Sequence, residues 1–169
     1  MILAIRHPPP ATRHTAMIIL SETARQSITQ HAEASYPNEC VGLLIGRIEG
    51  KQKTVAAIHQ AQNNWSAEVG LTNAEHEHSL ADRFYLDPRE YMRADRAARA
   101  QGLDIVGCYH SHPDHPAIPS ERDRVGAQGV GGGSSFSFLI QSVRSGQAAE
   151  LTSWLLIEDG ARFIAEELI

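Results

Sequence analysis

A chain of 169 residues, 42% apolar, fits one domain with enough apolar surface for a real core. Its formal charge of −5 leaves no basic footprint for nucleic acid, and no apolar run reaches the roughly 18 to 20 residues that cross a bilayer as a helix. Cys40 and Cys108 are the only cysteines; without CxxC spacing they read as small buried hydrophobes in a reducing cytoplasm, not as a disulfide framework or a Cys-rich zinc knuckle.

Residues 1–16, MILAIRHPPPATRHTA, carry a proline triplet and lack the continuous apolar stretch of about 7–15 residues that a secretory signal needs. They read as a disordered extension, and the single domain is expected over 17–169, opening on the strand-like run at Met17. Ser21 as N-cap with Glu22 in the first turn starts a helix to about Ser35, which Pro37 stops. Val41–Ile48 and Thr54–His59 are apolar and β-branched around EGKQ, the pattern of a hairpin of core strands. From Gln60 to Leu80 the sequence is polar and aperiodic, so a surface loop is expected. Asp87 as N-cap, Pro88 at the first helical position, Glu90 as capping-box partner and Gly102 as stop mark a second helix. Its Ala94, Ala97 and Ala98 form a thin apolar face; Arg89, Arg93, Arg96 and Arg99 form a solvated stripe. The run LDIVGCYH is a short buried strand, a third helix starts near Ser120, GVGGGSS is a flexible loop, and SFSFLIQSV and LTSWLLIE are two late strands. The expected fold class is α/β (α+β), a mixed β-sheet sandwiched by helices.

The segment YHSHPDHPAIPSERD, residues 109–123, concentrates the chemistry. Residues two apart on a strand share a side, so His110 and His112 present two imidazoles together at the end of an apolar strand. Pro113, Pro116 and Pro119 stiffen the return, and Asp123 can add a carboxylate oxygen. Two imidazoles and one carboxylate with a position left for water is the make-up of a catalytic zinc. HEH at 76–78 has the same spacing but no apolar strand behind it, and reads as solvated loop. Asp114 and His115 read as exposed loop residues, with orientation of a ligand imidazole through its second nitrogen as the alternative, and Ser111 as pointing away from the metal.

His110, His112, Ser120 and Asp123 match in type and spacing the signature of the JAMM (MPN+, Mov34-type) metalloproteases: His-x-His, seven residues, Ser, two residues, Asp. An upstream Glu completes it, matched by Glu39 in YPNECVGLLIG. The chain resembles that family from Met17 to its end. The resemblance implies an MPN/JAMM (cytidine deaminase-like) architecture, one Zn2+ held by His110, His112 and Asp123, Glu39 as general base, and Ser120 as hydrogen-bond donor to the oxyanion. It implies cleavage of the peptide or isopeptide bond after the C-terminal Gly-Gly tail of a ubiquitin-like or sulfur-carrier protein, as in small desampylase-like or Mec-like members, with the tail added as a strand beside a sheet edge. The alternative, a non-catalytic module binding a ubiquitin-like partner around a structural metal, has no use for Glu39 or Ser120. A cytidine-deaminase-type site would need a PCxxC partner to HxE, which this chain lacks.

Overall fold

A computed structural model describes residues 16–66 and 78–169. The extension expected over residues 1–16 lies, except for Ala16, outside the described residues, as do His76 and Glu77. In chain order the elements are β1 (Met17–Leu20), α1 (Glu22–Ser35), β2 (Val41–Glu49), β3 (Gln52–Ala61), α2 (Pro88–Ala100), β4 (Asp104–Pro113), α3 (Glu121–Ala127), β5 (Ser137–Arg144), β6 (Gln147–Ile157) and β7 (Arg162–Leu168).

Local chemistry accounts for the helix boundaries. The Ser21 side chain accepts the Ala24 N–H, and α1 buries Ala24, Ile28 and Ala32, one residue per turn on a single stripe. Asp87 caps α2 through the Arg89 N–H, and Gly102, at φ +68, ends that region. The Glu90 carboxylate, expected to close a capping box, instead meets His59 Nε2 on β3 at 3.0 Å, tying α2 to the sheet. Ala94 and Ala98 are buried but Ala97 is exposed, so the apolar face is thinner than its three alanines suggest. All four arginines of the stripe are exposed, and Arg99 pairs with Asp95.

The strands run in the order β1-β3-β2-β4-β5-β6-β7 and close into a barrel, because β1 pairs in parallel with both β3 and β7. β4 and β5 are the other parallel pair, linked through α3; the remaining neighbours are antiparallel. A mixed sheet with three helices is as expected, but the closure replaces the open-edged layer of a simple sandwich. Alternation along β2 separates two cores. Leu44, with Val106, Tyr109 and Leu139, packs with α1; Leu43, with Ile105, Phe138 and Leu156, packs with Ala94 of α2 and Ala127 of α3. Gly42 is required where the Tyr109 ring lies across it, since a Cβ there would collide with that ring.

The last strand, β7, has no counterpart among the sequence expectations. Its Glu166 is buried, accepts hydrogen bonds from Ser137 and Ser153 on Oε2, and holds Lys53 Nζ 2.7 Å from Oε1. Lys53 also donates to the Ser134 carbonyl. The buried charges of Lys53 and Glu166 thus match each other, as a low-dielectric interior demands.

Candidate metal centre and active-site cleft

β4 runs past the predicted strand end, so His110 and His112 sit within its last residues, both buried and on the side of the second core. Past Pro113 the chain turns at Asp114, whose φ is +57. Asp114 accepts hydrogen bonds from the Ser145 N–H and the Tyr36 hydroxyl, so this exposed residue braces the turn. The return is pinned by Ser142 Oγ donating to His115 O and Thr152 Oγ1 donating to Ala117 O. Ser120 then caps α3 in a capping box: its hydroxyl oxygen accepts the Asp123 N–H at 3.1 Å, and Asp123 Oδ2 accepts the Ser120 N–H at 2.6 Å. The first turn of α3 therefore delivers the Asp123 carboxylate to the two imidazoles.

His110 Nε2 and His112 Nε2 lie 2.9 Å apart; Asp123 Oδ1 is 3.1 Å from the first and Oδ2 3.4 Å from the second. Two ligand atoms each about 2.0–2.1 Å from one tetrahedral ion stand roughly 3.4 Å apart, so the spacing is close to that of a common centre. His112 Nδ1 lies 2.8 Å from the Pro116 carbonyl, which can only accept, so the proton sits on Nδ1 and Nε2 turns its lone pair toward His110 and Asp123. A donor set of converging nitrogen lone pairs and a carboxylate fits a divalent cation. Among the described residues these three form the one His/Cys/Asp/Glu group whose ligand atoms converge, all within 4.8 Å of one another.

Glu39 precedes β2 and is 9% exposed. It lines a cleft of about 500 Å³ together with His112, Ser120 and Asp123. Its N–H donates to the Leu80 carbonyl at 2.7 Å and its own carbonyl accepts from Asn63 at 3.0 Å. Next to it, the Cys40 N–H donates to Ser111 Oγ at 2.8 Å while the Ser111 N–H donates to the Cys40 carbonyl at 3.1 Å. Ser111 thus points away from the imidazoles, as its parity on the strand predicts, and clamps the Glu39–Cys40 segment to β4. The Ser120 hydroxyl donates to Asp123 Oδ2 at 2.7 Å.

The electrostatics divide the two carboxylates. Burial raises Glu39 to about 9, with repulsion from Asp123 and Asp82 adding to it and Arg83 and Arg122 opposing. Burial also works against the ionised Asp123, but the two imidazoles beside it and the hydrogen bond from the Ser120 N–H outweigh it, holding that carboxyl far below its ordinary range. Burial lowers His112, and Asp123 more than reverses this, so its pKa is raised. The surroundings thus favour the ionised form of Asp123 and the neutral form of Glu39. Cys108 borders the same cleft, half-buried, and burial pushes its thiol up to about 12. Burial pushes Cys40 up to about 11. Both thiols stay neutral, in line with their reading as small hydrophobes.

Several wall residues carry no sequence signal of a role. Phe84 stacks on His110 with centroids 4.6 Å apart and planes 28° from parallel. Trp65, Arg83 and Tyr85 line the cleft beside it. Trp65 lies inside the stretch read as surface loop, where neither periodicity nor a motif singles it out. His78 meets Asp82 at 2.6 Å and does not join the metal-ligand group. At His110 β4 is flanked on both sides, by Val41 of β2 and Ile140 of β5; the β2 ladder ends there, and His112 is paired on the β5 side, opposite Ser142.

Residues 21–157 match the family described as prokaryotic homologs of the JAB domain. A desampylase from Haloferax volcanii is 32% identical over 114 residues, 65% of this chain and 72% of that one. A probable TtuB-protein conjugate cleaving protease from Thermus thermophilus is 27% identical over 114 residues, 68% of this chain and 66% of that one. The solution structure of a Desulfitobacterium hafniense protein superposes with a TM-score of 0.70 at 30% identity, covering 90% of this chain and 92% of that one. A JAB1/MPN domain protein from Archaeoglobus fulgidus, at 14% identity and a TM-score of 0.51 over 92% of this chain and 99% of that one, shares the fold. This chain belongs to the prokaryotic JAB-domain family and is a hydrolytic enzyme of the JAMM type.

Proposed function

We propose that this hydrolase, working in the cytoplasm as a single domain over 17–169, cuts the amide bond after the C-terminal Gly-Gly tail of a ubiquitin-like or sulfur-carrier protein. The observation that carries the reading is the convergence of His110, His112 and Asp123 within 2.9 to 3.4 Å of one another, on a cleft that Glu39 also lines. The names of the relatives, a desampylase and a conjugate-cleaving protease, supply the substrate class. The parallel β4–β5 pair, with ligands at the end of one strand and in the helix that follows, supports the finer description of the architecture as cytidine deaminase-like.

His110, His112 and Asp123 would hold one Zn2+. Bound there, zinc supplies Lewis acidity, bringing the pKa of water from about 15.7 toward about 7 and polarising a carbonyl. Glu39 takes the proton of the attacking water, holds it in the buried wall, and returns it to the leaving amine, so that one carboxyl serves as base and then acid. Ser120 turns its hydroxyl from Asp123 to donate a hydrogen bond to the oxyanion of the tetrahedral intermediate. Arg83 and Arg122 on the cleft counter the acidic groups around Glu39. Phe84, stacked on His110, keeps bulk water off that face of the ring. The tail enters the cleft that Glu39, His112 and Asp123 line.

The test is to incubate the zinc-loaded protein with a ubiquitin-like carrier extended past its Gly-Gly end and to follow the carrier mass. Loss of the extension by the wild type, and not by Glu39→Gln, is the expected result. An intact extension with zinc bound would overturn the reading.

A further inference from the structure

Asn63 follows β3 by two residues, in a stretch whose sequence reads only as polar loop, and its side chain is fully committed. A primary amide has two N–H donors and a carbonyl oxygen with two lone pairs. Here Nδ2 donates to the Glu39 carbonyl at 3.0 Å and to the Arg83 carbonyl at 2.8 Å. Oδ1 accepts the Trp65 N–H at 3.1 Å and the Tyr85 N–H at 3.0 Å. Every bond goes to backbone: Trp65 lies two residues along the same stretch, while Glu39 and residues 83–85 belong to segments distant in sequence. A main-chain bond from Asn64 N–H to the Tyr85 carbonyl and one from Glu39 N–H to the Leu80 carbonyl stitch the same segments together.

What these segments carry matters. One bears Glu39. Another places Phe84, between the two residues that Asn63 grips, against the ring of His110. The third supplies Trp65 to the cleft wall. None of the three stretches lies in a helix, and neither Asn63 nor residues 83–85 lie in a sheet ladder, so the amide does the work a ladder does elsewhere. We propose that Asn63 is a positioning residue: its amide sets Glu39, and the Phe84 wall that orients His110, in one frame. The inference rests on reading Glu39 as the general base. Alanine removes all four bonds. Aspartate keeps the two accepted bonds and loses both donors, and it adds a negative charge beside an acidic wall.

The experiment uses the full chain with zinc and compares Asn63→Ala and Asn63→Asp with wild type in three measurements. The first is kcat and KM on the extended carrier together with zinc content. A fall in kcat/KM of about a hundredfold, carried mainly by kcat with zinc retained, is expected, the scale that follows when a catalytic group shifts by about 1 Å. The second is the NMR shift of the His110 ring protons, which the stacked Phe84 ring moves upfield; the shift relaxes toward that of an unstacked imidazole in the alanine variant. The third is hydrogen exchange, in which the Trp65 and Tyr85 amides lose protection in Asn63→Ala and keep more of it in Asn63→Asp. A variant with wild-type His110 shifts and wild-type kcat/KM would overturn the proposal, as would a loss explained entirely by lost zinc. If the alanine variant does not fold, the aspartate variant decides by the same readouts. If wild type leaves the carrier intact, the functional reading fails, while ring shifts and exchange still decide whether Asn63 sets the frame.

Discussion

Replacing Ser111 by alanine tests whether the two imidazoles and the base are registered through the strand that separates them. Ser111 is fully buried between His110 and His112, and its Oγ is the acceptor for the Cys40 N–H at 2.8 Å. Alanine fits the space but strands that buried donor, at a cost of about 1–3 kcal/mol. For a domain of this size each kcal/mol moves the melting midpoint by about 2–4 °C, so a drop of roughly 2–12 °C is expected. The return bond, Ser111 N–H to the Cys40 carbonyl, remains, so the segment loosens without detaching. Glu39 loosens with it, and kcat falls about tenfold, a barrier change of about 1.4 kcal/mol. Calorimetry, zinc content and carrier cleavage are read on one preparation. Ser21→Ala serves as the comparison: it removes the cap of α1, costs about 1 kcal/mol and leaves turnover untouched. If Ser111→Ala melts at the wild-type temperature, or loses stability while keeping full kcat, the registration argument is wrong.

Three further outcomes follow from the same geometry. Asp123→Ala removes the carboxylate that meets both imidazoles, so the purified variant should carry no stoichiometric zinc by elemental analysis and no activity; a full complement of metal would exclude Asp123 as a ligand. Glu39→Gln should bind zinc as wild type does and turn over at least a hundredfold more slowly, within the range proton-transfer groups contribute; retained turnover would remove Glu39 from the mechanism. In chelator, the pH dependence of stability should separate wild type from Glu39→Gln. Burial raises Glu39 from 4.5 to about 9, so its favourable contribution is complete below pH 4.5 and is lost as pH rises toward 9. Between pH 5 and 8.5 wild type should therefore lose a few kcal/mol, at about 1.4 kcal/mol per unit, that the glutamine variant keeps. Parallel urea curves for the two proteins at both pH values would contradict the burial argument.

What was legible in the sequence was local. Ser21, Asp87 and Pro88 act within one helical turn of where they stand, and the helices begin where those residues predict. His110, His112, Ser120 and Asp123 fall within a single fourteen-residue stretch of strand, proline-stiffened turn and capped helix, so their convergence follows from short-range geometry. Glu39 was reached only through the family resemblance, because its place on the cleft depends on β2 pairing with β4. The misses are long-range. Glu90 satisfies the local rule for a capping box, yet His59 on another element claims its carboxylate. β7 carries a glutamate pair that reads as surface until Lys53, Ser137 and Ser153, from three other strands, surround Glu166. Closure of the barrel by β1, and the grip of Asn63 on three segments, likewise exist only once distant parts of the chain meet.

The occupied flanks of β4 set terms for whatever reaches the imidazoles. A guest that joined a ladder would gain its affinity from main-chain pairing and would have to be unzipped, bond by bond, before the next turnover. At His110, where β2 and β5 take both sides, arrival would be broadside, and affinity would have to come from how slender the last residues are and how well the remainder of the guest seats outside the cleft. Departure of the severed ends would then involve no unzipping, which would favour rapid recycling over prolonged grip.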